Sequence, residues 1–382
     1  MKRLLLLGGG HAQLSVLESL AEQPLAGWDV QLVTPYRRLL YSGMLPGWVA
    51  GHYPLQAFAL PLDALANRAR VGFRETTGIA LDLARNEVIC ADGSREHFDV
   101  LSIDTGPQPA IHDLPGAAEY ALPLRPIEGF VAAWPAIADR ARMRNDRFDI
   151  VIVGAGAGGV EIAFAIRWRS MVEGWSSVRI TLVGREALPL ENMAIGVRRG
   201  TARLLQKRNI EWLGPRDAQQ IREDTVEFSQ GTAVRFDACV VVTGAAAAQW
   251  PAASGLATDE RGFIRVSSTL QSVSHPHIFA AGDAASLADP RLKSGVYAVR
   301  AGLVLARNLR AICEQHALRS WTPQRRALYL LSTGDRHAIA IWGQLNVSGR
   351  WVWRWKDWID RRFAQRYGAT ALQPPDSEGK LP

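Results

Sequence analysis

Val151-Ile152-Val153-Gly154-Ala155-Gly156-Ala157-Gly158-Gly159-Val160-Glu161, near the middle of the 382-residue chain, is the stretch that decides the fold. A β-branched apolar run leads into it, and Ile162-Ala163-Phe164-Ala165-Ile166 continues it at helical spacing. The glycines of G-x-G-x-x-G fall at Gly154, Gly156 and Gly159. The first permits a tight turn out of a strand, the second lets a pyrophosphate approach the backbone, and the third lets helix and strand pack closely. The helix that follows presents free N–H groups and the positive end of its dipole. Alone, such a loop is also compatible with a ligand-free strand-to-helix turn. Repetition gives it weight.

The chain performs the same sequence of events twice. Leu4–Leu7 leads into Gly8-Gly9-Gly10-His11-Ala12-Gln13 and a helical pattern at Leu14, Leu17 and Leu20, followed by a second strand at Val30–Val33. Short alternating segments around Phe73, Ile79–Leu81 and Val88–Cys90 form a meander that closes with Phe98-Asp99-Val100-Leu101-Ser102-Ile103-Asp104-Thr105-Gly106. After the central glycine loop come a strand at Val178–Val183, a helical stretch over Ala194–Arg208, and meander strands near Ile221 and Val226–Phe228. That half closes with Phe236-Asp237-Ala238-Cys239-Val240-Val241-Val242-Thr243-Gly244. Two β-α-β units with matching closing strands imply two dinucleotide sites. A third apolar strand, Ile278-Phe279-Ala280-Ala281, delivers Gly282 and Asp283 at its tip, where ligands gather in open α/β sheets.

Composition narrows the class. Hydrophobic residues make up 48% and charged residues 21%, as in a globular protein. The three cysteines, Cys90, Cys239 and Cys313, lie far apart, so neither a local redox dithiol nor a zinc knuckle is spelled out, and no metal site is expected. Reduced thiols fit a cytoplasmic protein. Leu4–Leu7 is too short for a signal sequence and reads as a buried strand; no apolar run approaches the length of a membrane span. The net charge of +7 allows nucleic acid, an anionic membrane face or phosphate-bearing ligands as partners, and no zinc-finger spacing or RNP-type aromatic motif supports the first.

The conjunction of two glycine loops, two Thr-Gly strands and a late Gly-Asp resembles the two-dinucleotide-fold flavoproteins of the pyridine nucleotide-disulfide oxidoreductase superfamily. The resemblance covers residues 1 to about 310 and implies an α/β chain of two Rossmann-like domains, three-layered and glutathione-reductase-like. An NAD(P)H-binding domain (116–261) would be inserted in an FAD-binding domain (1–115 and 262–325), with a C-terminal segment at 326–382. Tyr41-Ser42-Gly43-Met44-Leu45-Pro46-Gly47 is similar to the corresponding segment of type II NADH dehydrogenases and sulfide:quinone oxidoreductases. Together with Gly8-Gly9-Gly10-His11, Gly295–Arg300 and Trp355–Phe363, it also resembles a subgroup found fused ahead of selenophosphate synthetase.

The resemblance assigns roles residue by residue. Gly8, Gly10, His11 and Ala12 would cradle the FAD pyrophosphate, with Thr105 and Gly106 closing the strand beside them. Gln13 replaces the third glycine, and Thr34 stands where an acid is expected at the tip of the second strand. Arg38 then meets phosphate or adenine, or faces solvent; His11 packs or caps, or takes part in binding. Asp283, after Gly282, would bind the ribityl chain or cap a helix. The helix beginning after Lys293-Ser294-Gly295-Val296 would aim its N-terminus at the flavin pyrimidine edge, Lys293 assisting, or be an ordinary core helix capped by Ser294. Tyr41 and Ser42 would shape the opposite flavin face. On the nucleotide side, Gly154, Gly156, Gly159 and Gly244 would hold the dinucleotide and Glu161 would position flavin N5 and nicotinamide, since hydride transfer needs stacked rings and no protein acid. The strand tip Val183-Gly184-Arg185 lacks an acid and offers a cation, which favours NADPH over NADH.

Disulfide reductases carry a cysteine pair after the first helix, and residues 14–49 contain none. The resemblance then implies hydride transfer from NADPH or NADH to FAD and onward to a second acceptor, expected to be a quinone. The rival readings are oxidation of a sulfur or selenium species, and a flavin-binding redox sensor or docking module. In the tail, Trp351, Trp355, Trp358, Ile359 and Phe363 approach one helical face, with Arg350, Arg354, Lys356, Arg361, Arg362 and Arg366 elsewhere. Such a helix suits an anionic membrane interface at residues 350–366, hence a cytoplasmic protein at the inner membrane face, or else packs internally. A homodimer is compatible with the pattern.

Overall fold

The computed structural model describes residues 1–368 apart from 112, 176, 230, 290–292 and 294; Ser294, the expected helix cap, therefore lies outside the described residues. The opening apolar run forms strand Lys2–Leu7, with Leu4, Leu5, Leu6 and Leu7 sealed from solvent. It lies at the centre of a five-stranded parallel sheet in the order Ile278–Ala280, Val100–Ile103, Lys2–Leu7, Trp28–Thr34, Gly72–Glu75. Strands covered on both faces read as continuous apolar runs, which is why this one could pass for a leader in the sequence. Ile278–Ala280 pairs with Leu101–Ile103, bringing the Gly282-Asp283 tip back beside the first glycine loop.

The second half repeats the plan. Strands Leu122–Pro123, Ala238–Val241, Phe148–Val153, Val178–Val183 and Ile210–Leu213 form a second five-stranded parallel sheet. Each half adds a three-stranded antiparallel meander, at residues 78–97 and 218–235. Helix Ala157–Val172 springs from the central loop, and a methyl on Gly159 would drive into the Gly154 carbonyl oxygen, so this position admits no side chain. In the first loop Gln13 takes the place of that glycine. Its side chain is accommodated by being driven into the sheet, where Nε2 donates to Ser102 O (3.1 Å) and Ser102 Oγ (3.0 Å).

The C-terminal segment contains a sheet that the sequence reading did not foresee. Leu328–Ser332, Ala338–Trp342 and Leu345–Gly349 form an antiparallel meander, followed by helix Arg350–Arg366. Trp351, Trp355 and Trp358 share an exposed face, as their spacing predicts, but Ile359 and Phe363 are half-buried and do not join it. Val352, Trp353, Lys356, Asp360 and Ala364 are buried, whereas Trp351 and Trp358 are each 56% exposed. Two charged residues thus belong to the inward face. No described helix is long and apolar enough to cross a membrane. Gly159→Ala is expected to cost about 2 kcal/mol or more through overpacking, read as a lowered midpoint in chemical denaturation.

Candidate functional site

The first glycine loop is closed by a residue that the sequence reading passed over. Gly8 N donates to Val33 O (2.8 Å) and Gly10 N to Asp104 O (3.1 Å). The Asp104 carboxylate, sealed inside, accepts from Ala12 N (2.8 Å) and Gln13 N (3.1 Å) through Oδ2. It caps helix His11–Glu22 from across the sheet, since Gly10 has no side chain with which to do so. A methyl on Gly10 or Gly282 would strike this carboxylate. Burial raises its pKa to about 7, against the pull of the two N–H bonds. Its one visible signal is an acid ending an apolar strand just before Thr105-Gly106.

Thr34 and Ala12 are buried around the same loop. His11 stands edge-on to Tyr41 (centroids 5.8 Å apart) and near Phe363; burial, then Arg125, lowers its pKa to about 4, leaving a neutral imidazole. Arg38 is engaged: its guanidinium forms a fork with Glu128 (3.0 and 2.9 Å). Asp283 faces Arg125 at 3.6 Å. Burial raises the Asp283 carboxyl while Arg125 and Lys293 pull it back. The Lys293 ammonium bonds Ala285 O and lies 3.9 Å from the centre of the Phe263 ring, and burial lowers it to about 8.

A cavity of about 1840 Å³ joins the two halves. Tyr41, Ser42 and Leu45 form one wall; Gly154, Gly156 and Glu161 face it from the second loop. Asp283, Lys293, Gly295 and Val296 also line it, as do Gly184, Arg185 and Gly244. The N-terminus of helix Gly295–Cys313 therefore opens on the same chamber as the second glycine loop. Gly184 cannot carry the acid that the sequence lacks: a Cβ there would lie 2.6 Å from the Trp212 ring and 2.8 Å from the Ala155 methyl. The next acid, Glu186, is turned toward Arg198 (3.7 Å), and Arg185 is 78% exposed, 3.8 Å from Asp217.

Between the two halves lies a buried charged cluster, two members of which were read from sequence only as tail residues. Glu161 Oε1 accepts from Ser332 N (2.8 Å). Lys356 Nζ donates to Gly43 O (2.7 Å) and Asp360 Oδ2 (2.5 Å), and Tyr41 OH donates to Asp360 Oδ1 (3.0 Å). Burial raises Glu161 to about 7, with nearby Lys356 opposing. Burial pulls the Lys356 ammonium down, but Asp360 and Glu161 outweigh it and hold it above its ordinary value. Hence the second loop carries a carboxyl able to hold a proton near neutrality. All three cysteines are buried and none lines this chamber; burial pushes the Cys239 and Cys313 thiols up to about 12.

The chamber is lined by the second glycine loop and, from the first unit, by Tyr41, Ser42, Asp283 and Lys293, whereas Gly8, Gly10, His11, Ala12, Thr34, Arg38, Thr105 and Gly106 lie outside its lining, and no cysteine enters it. The chain belongs to the pyridine nucleotide-disulphide oxidoreductase family, whose sequence model matches residues 2–302. It is accordingly an oxidoreductase that uses FAD with NADH or NADPH. It is 27% identical to ferroptosis suppressor protein 1 of Taeniopygia guttata, over 72% of this chain and 71% of that protein. It is 25% identical to demethylphylloquinone reductase of Synechocystis sp., over 74% and 72% respectively. Its fold superposes on the sulfide:quinone oxidoreductase of Aquifex aeolicus with a TM-score of 0.80 at 16% identity, covering 96% of this chain and 91% of the other.

At the second loop the residues present suit a dinucleotide, whereas at the first loop Ala12 N and Gln13 N are already engaged by Asp104. The second loop's helix has no side-chain cap, so its N-terminus is available to a phosphate, and the chamber is large enough to bring two ring systems together. A carboxyl whose pKa is raised on folding holds its proton more tightly in the folded state than in the unfolded one, so stability falls as pH rises from the unfolded pKa through the folded pKa. For Glu161 that stability is fully present below about 4.5 and is lost as pH rises to about 7. Glu161→Gln should therefore flatten part of the fall in melting temperature between pH 5 and 7; an unchanged slope would contradict the assignment.

Proposed function

We propose that this protein is an NAD(P)H:quinone oxidoreductase. The observation that carries the reading is the shared chamber, in which the second glycine loop, the N-terminus of helix Gly295–Cys313 and the Tyr41–Ser42 wall surround one volume. FAD, when bound, accepts hydride from the nicotinamide and passes electrons onward. The chain's own groups do the rest. Gly8, Gly10, His11, Ala12, Thr105 and Gly106 hold the pyrophosphate side, Thr34 and Arg38 border the adenosine, and Gly282-Asp283 takes the ribityl chain. Gly295 and Val296 aim helix N–H groups at the pyrimidine edge, with Lys293 contributing positive charge nearby. Gly154, Gly156, Gly159 and Gly244 hold the nucleotide, and Glu161 sets the approach of its nicotinamide.

A quinone suits a chamber whose lining includes Leu45, Pro46, Leu330, Ile359 and Phe363 and no thiol to form a persulfide or disulfide. The name of the Synechocystis relative points the same way. The four motifs shared with proteins fused to selenophosphate synthetase assign the chain, on our reading, to that subgroup; the buried cysteines argue against sulfur or selenium chemistry in the chamber. In this reading residues 1–115 and 262–325 form the FAD unit, 116–261 the nucleotide unit and 326–382 the accessory segment. The outward face of helix Arg350–Arg366, with Trp351, Trp355 and Trp358 beside exposed Trp342, Leu345 and Val347, is the surface that lies on an anionic membrane, placing the chamber next to a lipid-borne acceptor.

Anaerobic reduction of the purified protein by each nucleotide, then reoxidation by quinones, sulfur compounds and oxygen, tests the reading. Bleaching of the flavin followed by fast reoxidation only by quinones is expected; failure of every quinone would overturn it. Because position 184 excludes an acid and Arg185 is exposed, held only by Asp217 at 3.8 Å, NADPH is the expected donor. Arg185→Ala should lower kcat/KM for NADPH about tenfold while sparing NADH, the size of one charge-assisted phosphate contact. The triple variant Trp351→Ser, Trp355→Ser, Trp358→Ser should lose sedimentation with anionic liposomes and keep its melting temperature.

A further inference from the structure

The inward face of helix Arg350–Arg366 carries two sets of tyrosine, aspartate and cation. The outer set is Tyr53, Asp357 and Arg361: Tyr53 OH donates to Asp357 Oδ1 (2.5 Å) and Arg361 Nε donates to the same carboxylate (2.8 Å). The inner set is Tyr41, Asp360 and Lys356, described above. Their chemistry is alike and their placement differs. Tyr41, Lys356 and Asp360 line the cofactor chamber together with Glu161, whereas Asp357 does not.

This matters because of a proton. NAD(P)H + quinone + H⁺ gives NAD(P)⁺ + quinol. The nicotinamide C–H bond breaks and yields one hydrogen nucleus with both electrons; the quinone gains two O–H bonds. One of those hydrogens does not come from the nicotinamide. An ammonium without a partner loses its proton when buried. Lys356 is enclosed, yet keeps its charge through a carboxylate one helical turn away. The Tyr41 hydroxyl engages the other oxygen of that carboxylate, so Oδ2 is left facing Lys356. Gly43 O takes a second ammonium hydrogen.

We propose that Asp360, pinned by Tyr41, is a positioning residue that keeps Lys356 protonated and fixed in the chamber, so that Lys356 supplies the proton which hydride transfer does not. In that step an N–H bond of Lys356 breaks, the quinone oxygen gains the proton as it takes the electrons, and the neutral amine recovers a proton from water before the next turnover. The proposal rests on the quinone reading above. The charged and titratable groups facing the pair are Glu161 from helix Ala157–Val172, Tyr41 from the facing wall, and Asp357 from its own helix.

The test uses the FAD-loaded full chain and the variants Asp360→Asn, Tyr41→Phe and Asp357→Asn. Stopped-flow bleaching by NAD(P)H should be within about twofold of wild type for Asp360→Asn, while reoxidation by a water-soluble benzoquinone should slow on the order of a hundredfold, the size of a lost proton donor. Reoxidation by ferricyanide, which takes electrons without protons, should be unaltered. The pH profile of quinone reduction should fall off at lower pH than in wild type, and a pH-indicator dye should register slower proton uptake during reoxidation. Tyr41→Phe, which keeps every charge, should give a smaller change of the same kind if Asp360→Asn fails to fold. Asp357→Asn should lower the melting temperature and leave the pH profile in place. Wild-type rates with benzoquinone in Asp360→Asn, or an equal loss with ferricyanide, would overturn the proposal. A wild-type protein that ferricyanide reoxidises and benzoquinone does not would sink the quinone reading itself, and this proposal with it.

Discussion

A parallel strand that turns sharply into a helix leaves the first N–H groups of that helix without partners, and this chain is arranged around how two such sets are satisfied. In the first unit the Asp104 carboxylate crosses from the neighbouring strand to take Ala12 N and Gln13 N. In the second, the matching place before Thr243-Gly244 holds Val242, and helix Ala157–Val172 has no side-chain cap. The two loops look alike in sequence and differ in electrostatics. One has an internal anion beneath it, of raised pKa; the other presents its helix dipole unopposed to whatever phosphate arrives.

Crowding, more than attraction, sets the rest of the site. Gly10, Gly159, Gly184 and Gly282 are glycines because a neighbouring carboxylate, carbonyl or indole already fills the place of a side chain. At Gly184 the consequence is chemical. With the Trp212 ring beneath it, the strand tip cannot present a carboxylate to a ribose, and the charge next in line is Arg185. That exclusion follows from a packing contact made by the adjacent strand, Ile210–Leu213.

The C-terminal helix serves two environments at once. Its inward face brings Lys356 and Asp360 to the chamber, and ties to the first helix through the Arg366–Glu18 pair (2.7 Å). Its outward face keeps Trp351 and Trp358 in solvent. Burying an ammonium and two carboxyls in one cluster is costly unless each is paired, and here Ser332 N, Gly43 O and Tyr41 OH supply the missing partners. These partners come from segments that flank the chamber on different sides, so the helix closes it rather than decorating it.

Local pattern determined a good deal. Apolar runs at Leu4–Leu7, Val151–Val153 and Ile278–Ala281, each followed by glycine, specified parallel strands with loops at their C-terminal tips, because strand burial and tight turns are properties of adjacent residues. The family, the paired nucleotide loops and the absence of a reactive thiol followed from the same evidence. Tertiary structure alone decided which charges went inside. Helical spacing could group Trp351, Trp355 and Trp358, but whether Lys356 and Asp360 faced water or Glu161 depended on the meander of residues 328–349 that turns the helix inward. Asp104 was hidden for the same reason: its partners are the backbone N–H groups of a helix more than ninety positions earlier, and a contact over that distance leaves no periodicity to read.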